Sequence, residues 1–270
     1  MTSTPAPLAP GSLAGRTALV TGSSRGIGAA TVGLLAGAGA NVVVNYRAKA
    51  PRAEKVVAAA KEAGVGAIAV QADLTDAASL QAMFEQARDA FGAIDILVMN
   101  ASGGMESGMG EDYAMRLNRD AQVSLLETAV PFLAEGARVV FVTSHQAHFI
   151  RTTPTMPEYE AVALSKRAGE DALRERADAL AERGIELVVV SGDMIEGTIT
   201  ATLLERANPG AIASRREDAG RLYDVDEFAA EVAAAAVEPV PEHRTCLVGD
   251  VSGFGEAEGS QAQGTQAGTA

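Results

Sequence analysis

Three features of this sequence predict an α/β fold, a doubly wound parallel sheet of about seven strands with helices on both faces. Short runs rich in β-branched residues recur at 17–20, 41–44, 67–70, 96–99, 138–142, 186–190 and 245–248. Patterns of helical period fill the intervals, and a glycine-rich turn follows the first run. Strands that alternate with helices pair in parallel through right-handed crossovers, which places helices over both faces of one open sheet. With 270 residues, 47% of them hydrophobic, the chain is long enough to bury one sizeable core.

The first element carries the sharpest signal. Ala18-Leu19-Val20 runs into Thr21-Gly22-Ser23-Ser24-Arg25-Gly26-Ile27-Gly28, and an alanine-rich helical pattern leaves it. This reads as strand, phosphate loop, helix. Gly22 permits the tight turn, Gly26 lets backbone approach a pyrophosphate, and Gly28 lets the helix pack close to its strand, with free amides at the helix start facing the anion. The arrangement is that of a Rossmann-type dinucleotide site, whose ligand lies at the carboxyl ends of the strands. Later punctuation agrees with the alternation. Asp76 is placed to cap a helix running to Phe91, Asp224 one running to Ala236, and Gly64 and Gly184 stand where helices should stop.

Composition sets the limits. Residues 1–11 are rich in Pro, Ser, Thr and Ala and read as a flexible arm without the features of a signal peptide. A single domain is expected over 12–251, followed by a low-complexity tail at 252–270 with too little apolar bulk to order itself. A net charge of −13 argues against nucleic acid and anionic membrane as general partners, and no run reaches the roughly 20 apolar residues of a membrane span. Cys246 is the only cysteine, which excludes an internal disulfide and a cysteine metal cluster and suits a reducing, cytoplasmic setting. Its ordinary role is that of a small buried hydrophobe.

The order of further motifs resembles the short-chain dehydrogenase/reductase family over roughly 13–251. Beyond the 21–28 loop these are Asp73-Leu74 after the third strand, Asn100-Ala101-Ser102-Gly103 after the fourth, Ser144 after the fifth and Lys166 in the next helix. The resemblance implies that Asp73 and Leu74 lie at the adenine end and that Asn100, Ala101 and Ser102 line the cofactor. It also implies that Lys166 holds the nicotinamide ribose and Ser144 a substrate oxygen. Asn118, within Leu117-Asn118-Arg119, matches the family asparagine that relays protons from the lysine through a helix distortion; a polar contact between helices is the other reading of it. Asp73 alone could equally be a capping or turn residue. Gly192, Ile195 and Thr198 fall where the family meets the cofactor, and 193–205 where it covers the substrate. The resemblance also implies a homotetramer or homodimer pairing through helices over 115–133 and 158–183.

Cofactor choice follows from charge. The second strand ends Asn45-Tyr46-Arg47, without the acid that takes an unphosphorylated ribose, while Arg47 and Arg25 can clamp a 2′-phosphate. NADP(H) is the expected cofactor. Arg47, Lys49 and Arg52 could otherwise form a solvated loop.

One position departs from the family. Four residues before Lys166, where most members carry a catalytic tyrosine, stands Val162. Tyr159 precedes the lysine by seven residues, which resembles the spacing in enoyl-acyl-carrier-protein reductases, as do Asn45-Tyr46 and Val190-Ser191-Gly192. Seven residues are two helical turns, about 20° from eclipsed, so both side chains share a helix face. The expected catalytic set is Tyr159, Lys166, Ser144 and Asn118, with the charge of Lys166 drawing the Tyr159 phenol down. An aromatic packed at a helix start is the alternative for Tyr159. His145 and His148 lack a third ligand and read as loop residues, so no metal is expected. Phe149 could wall a substrate pocket. Gly103, Gly104, Gly108 and Gly110 suggest a remodelled substrate mouth. The resemblance thus implies NADPH-dependent hydride transfer to a small molecule, a carbonyl or a C=C conjugated to one, with an acyl thioester or polyketide-like compound as the candidate substrate. A catalytically inactive NADP(H)-binding sensor is the competing reading that Val162 motivates.

Overall fold

A computed structural model of the chain describes residues 8–105, 108, 110 and 112–254. The remainder of the expected arm and tail, 1–7 and 255–270, lies outside the described residues. Seven strands form one sheet: β1 (Thr17–Val20), β2 (Asn41–Tyr46), β3 (Ala67–Gln71), β4 (Ile94–Met99), β5 (Leu133–Ser144), β6 (Glu186–Gly192) and β7 (Thr245–Val248). Their order is β3-β2-β1-β4-β5-β6-β7, with every pairing parallel. The chain reverses direction across the sheet between β1 and β4, and that switch point is where an open α/β sheet offers a crevice.

Alternation along each strand sorts the core into two layers. Ala18 and Val20 of β1 point with Val42 and Val44 toward α1 (Gly26–Gly37), α2 (Ala50–Glu62) and α11 (Val225–Ala235). Leu19 and Val43 point the other way. There they meet α3 (Ala77–Phe91), α5 (Ala121–Ala129), α7 (Pro157–Arg174) and α8 (Ala177–Ala181). Near-continuous burial of β1, β4 and β6 follows, because both faces of a central parallel strand are covered.

Local chemistry fixes the helix starts. The Asp76 carboxylate accepts from Ser79 N at the head of α3, and Asp224 with Glu227 closes a reciprocal capping box at the head of α11. Helix α7 opens on Pro157 with Glu158 and Glu160 in its first turn, where both the ring and the negative charges suit a helix N-terminus. Its buried face is Tyr159, Val162, Lys166, Gly169 and Leu173, spaced at helical period.

Three features bear on function, the first a helix distortion at Asn118 that the resemblance implied and the other two departures from the sequence expectation. The segment from α4 (Tyr113–Met115) to α5 is a π-helical stretch over Arg116–Asp120 centred on Asn118, and the long helix expected over 158–183 breaks between α7 and α8. At that break the Arg176 guanidinium donates to the Ala172 carbonyl and pairs with Glu127. Phe254, assigned to the tail by composition, stacks on Phe149 with ring centroids 5.3 Å apart. Among the described residues no helix is long and apolar enough to cross a membrane.

Candidate active site

A cleft of about 630 Å³ opens at the carboxyl ends of the strands, within the size range of cofactor and ligand sites. At one side lies the loop between β1 and α1. Asn45 anchors it: its Oδ1 accepts from Gly22 N, while its Nδ2 reaches the carbonyls of Val70 and Ala72. The buried Asn45 amide therefore ties β1 to the end of β3. Helix α1 begins at Gly26 behind Arg25, whose side chain makes no capping bond, so the first amides of the helix are left for an anion. Gly26 has φ +56° and a Cβ there would meet nothing within 4 Å, which leaves its backbone open to a phosphate. Gly28 serves packing instead, because a Cβ there would fall 2.7 Å from Asn100 Nδ2 and 2.8 Å from Ser23 Cα. Asn100 in turn donates from Nδ2 to the Thr21 carbonyl and from its backbone N–H to Thr21 Oγ1, which locks the ends of β1 and β4 together.

The cleft is basic although the chain is acidic. Arg25, Arg47, Lys49, Arg52 and Lys166 line it, against Asp73 and Asp193, and Arg215 already pairs with Asp193. Arg47 Nη1 donates to Tyr113 Oη across the cleft. Asp73 Oδ1 accepts from the amide and hydroxyl of Thr75. Partial burial opposes its charge, but those bonds and the field of Arg47 hold the Asp73 carboxyl below its ordinary value. Uncapped amides, an open Gly26 and this cation set fit a dinucleotide diphosphate.

At the other end, Ser144 closes β5 and caps the short helix α6 (His145–His148). Its Oγ lies 3.2 Å from the Tyr159 hydroxyl. Tyr159 is buried, and that burial raises its phenol above the usual range while the Ser144 bond works the other way. The net shift is upward, so the expectation that the charge of Lys166 draws the phenol down does not hold: burial outweighs what lowers it. Burial instead pulls the Lys166 ammonium down to about 8, with Glu170 one turn later opposing the change. Among the described residues no hydrogen-bond acceptor meets the Lys166 ammonium, although it lines the cleft. Val162 packs against Gly104 in the wall between Tyr159 and the helix start at Tyr113.

The sequence signature of the short-chain dehydrogenases matches residues 16–208. The chain belongs to the short-chain dehydrogenase/reductase family. It is 35% identical over 198 residues to the short-chain dehydrogenase/reductase AacuN of Aspergillus aculeatus, covering 71% of this chain and 72% of that protein. Among solved structures it resembles a short-chain dehydrogenase from Burkholderia cenocepacia in complex with NADP, at 30% identity and TM-score 0.74, over 90% of this chain and 98% of the other. It also resembles LugOII, a promiscuous reductase that catalyses keto-reduction at C1 during lugdunomycin biosynthesis, at 29% identity and TM-score 0.72, over 90% and 98%.

Seen as a short-chain dehydrogenase/reductase, the chain gathers nearly all of its expected site residues on this cleft. Gly22, Ser24, Arg25, Gly26, Ile27, Gly28, Asn45, Tyr46, Arg47, Asp73, Leu74, Asn100, Ala101, Ser102, Ile195 and Thr198 line it together with Ser144, Tyr159 and Lys166. Two expected residues stand apart. A Cβ at Gly192 would fall 2.4 Å from Phe228 Cε2, so this glycine admits the α11 aromatic and does not line the cleft. Asn118 bonds both backbone groups of Gly103 and donates to Ser165 Oγ, so its side chain ties the π-helical stretch to the loop and to α7. Phe149 likewise packs on His145 and Phe254, away from the cleft lining.

Sequence reasoning missed Tyr113, Gln146 and Glu170. The first two line the cleft. Glu170 is fully buried behind it, its Oε1 shared by His148 and Arg174 and its Oε2 without a partner among the described residues. Burial opposes its charge, yet the bonds and fields of His148 and Arg174 hold its carboxyl below the usual range. Its place four residues after Lys166 was the available signal.

Proposed function

We propose that this short-chain dehydrogenase/reductase uses NADPH to reduce a carbonyl, or a C=C conjugated to one, on a small molecule, with Tyr159 supplying the proton. The observation that carries the reading is the approach of the Tyr159 hydroxyl to Ser144 Oγ on the lining of a basic cleft. Two hydroxyls 3.2 Å apart can both hydrogen-bond one substrate oxygen, and a phenol kept protonated by burial can donate to that oxygen as negative charge develops. NADPH, when bound, supplies the hydride.

The remaining residues bind and orient. The start of α1 and Gly26 would take the diphosphate, and Arg47 the 2′-phosphate, since β2 ends without an acid. Lys166, a cation with no acceptor of its own among the described residues, would hold the nicotinamide ribose. Met194, Ile195, Ile199 and Leu204, from the loop after β6 and from α9 (Ile199–Ala207), give the substrate end an apolar wall suited to excluding water.

The keto-reduction described for LugOII favours a carbonyl on a polyketide-like substrate. The seven-residue separation of Tyr159 and Lys166 favours an enoyl thioester, where the same phenol would meet a developing enolate. Cytoplasmic location and a homodimer or homotetramer belong to this proposal.

The test is to mix the purified protein with NADPH and a panel of aromatic ketones, enones and acyl thioesters while following nicotinamide absorbance. Turnover with the ketones is expected. NADPH binding without oxidation by any of them would leave the inactive sensor as the better reading.

A further inference from the structure

Arg47 leaves the end of β2 and reaches across the adenine end of the cleft, where its Nη1 donates to Tyr113 Oη, 66 residues away in the chain. The Tyr113 ring is 5% exposed and packed in the same apolar layer as Leu117 and Leu74, so the hydroxyl is a fixed post. A phenol that accepts from a guanidinium keeps its own proton free to donate. Among the described residues nothing accepts that proton. The other donors of the Arg47 guanidinium and the Tyr113 hydroxyl thus meet at one place on the cleft lining, with Lys49 and Arg52 also on that lining.

A long arginine side chain gives up rotamer freedom when a ligand fixes it. A partner that holds it beforehand lowers that loss, and the benefit goes to whichever ligand needs the guanidinium. A ribose 2′-hydroxyl does not; a 2′-phosphate, with charged oxygens for both the guanidinium and a phenol, does.

We propose that Tyr113 is a specificity-determining residue for the phosphorylated cofactor, holding Arg47 across the cleft and donating its own hydroxyl to an oxygen of the ribose 2′-phosphate. This rests on Arg47 being the phosphate partner.

Calorimetric titration of wild type, Tyr113→Phe, Arg47→Ala and the double variant with NADP and with NAD tests it, together with adenosine 2′,5′-bisphosphate against adenosine 5′-phosphate to isolate the adenine end. Phenylalanine keeps the buried ring, and thermal unfolding checks that the fold is retained. Tyr113→Phe should weaken NADP and the bisphosphate by about 5- to 20-fold and leave NAD and the monophosphate within about twofold. The double variant should bind NADP more tightly than the two single losses multiplied together predict, because the part of the Tyr113 contribution that acts through Arg47 is already lost in Arg47→Ala. Equal weakening of both cofactors, or fully additive losses in the double variant, would overturn the proposal. An Arg47→Ala protein with an unchanged NADP-to-NAD ratio would instead remove the reading of Arg47 and the role of Tyr113 with it. A changed ratio in Arg47→Ala beside an unchanged one in Tyr113→Phe would refute Tyr113 alone.

Discussion

The Asn118 carbonyl oxygen lies where a Cβ on Gly169 would come within 2.0 Å of it, so the π-helical stretch of one helix is seated directly on the backbone of another. A π turn displaces a carbonyl from the regular ladder, and only a glycine on α7 leaves room for it. Gly169 stands three residues after Lys166, so this contact also sets how α7 presents the lysine to the cleft.

Gly169→Ala should therefore push the two helices apart. Overpacking against backbone costs about 3 kcal/mol, which for a domain of this size lowers Tm by roughly 6–12 °C. Thermal unfolding by circular dichroism reads the effect, and a shift under about 2 °C would mean that the contact yields easily.

The reduction rate should depend on pH through Lys166. Its ammonium is drawn down to about 8, so the charged form predominates below that value and is lost as pH rises through it. Glu170 raises this value, hence Glu170→Gln should move the alkaline fall of the rate to lower pH. The Tyr159 phenol, raised by burial, stays protonated across the window and does not produce the break. An alkaline limb unmoved in Glu170→Gln would detach the carboxylate from the lysine.

Acid stability should depend on His145. Its ring is buried, with Nδ1 bonded to Ser191 Oγ, and burial together with the fields of His148 and Arg215 lowers it to about 3. The folded value lies below the unfolded one near 6.5, so the unfolded chain binds the extra proton and stability is lost as pH falls from about 6.5 toward 3. About 2 kcal/mol should disappear from this source between pH 7 and pH 5. Urea unfolding of wild type and His145→Gln at both pH values measures it; the variant should lose less, and parallel losses would contradict the assignment.

Much of the fold was legible because central parallel strands, covered on both faces, read as short apolar runs: β1, buried throughout, begins and ends where the sequence placed it. Asp76 and Asp224 were legible for a similar reason, since capping depends on neighbours in sequence. The phosphate loop and Ser144, Tyr159 and Lys166 were legible as motif positions. Contacts across long sequence distance were not. Nothing near Arg47 announces Tyr113, and Asn118 gives no local sign that its amide bonds Gly103 and Ser165. Glu170 reads as a surface residue of an amphipathic helix until His148 is found against it. Phe254 sits in a composition that buries little, yet one aromatic ring found Phe149 to stack on.

The role of Tyr159 as the proton donor is tested most directly by the single-turnover rate of NADPH oxidation in Tyr159→Phe, beside its NADPH affinity. The variant keeps the ring packed behind Ser144 and loses only the hydroxyl 3.2 Å from it. The rate should fall by about 10²- to 10⁴-fold while the dissociation constant for NADPH stays within about twofold. A near-normal rate in Tyr159→Phe, on the substrate that wild type turns over, would contradict the assignment and leave Ser144 or the substrate itself as the source of the proton.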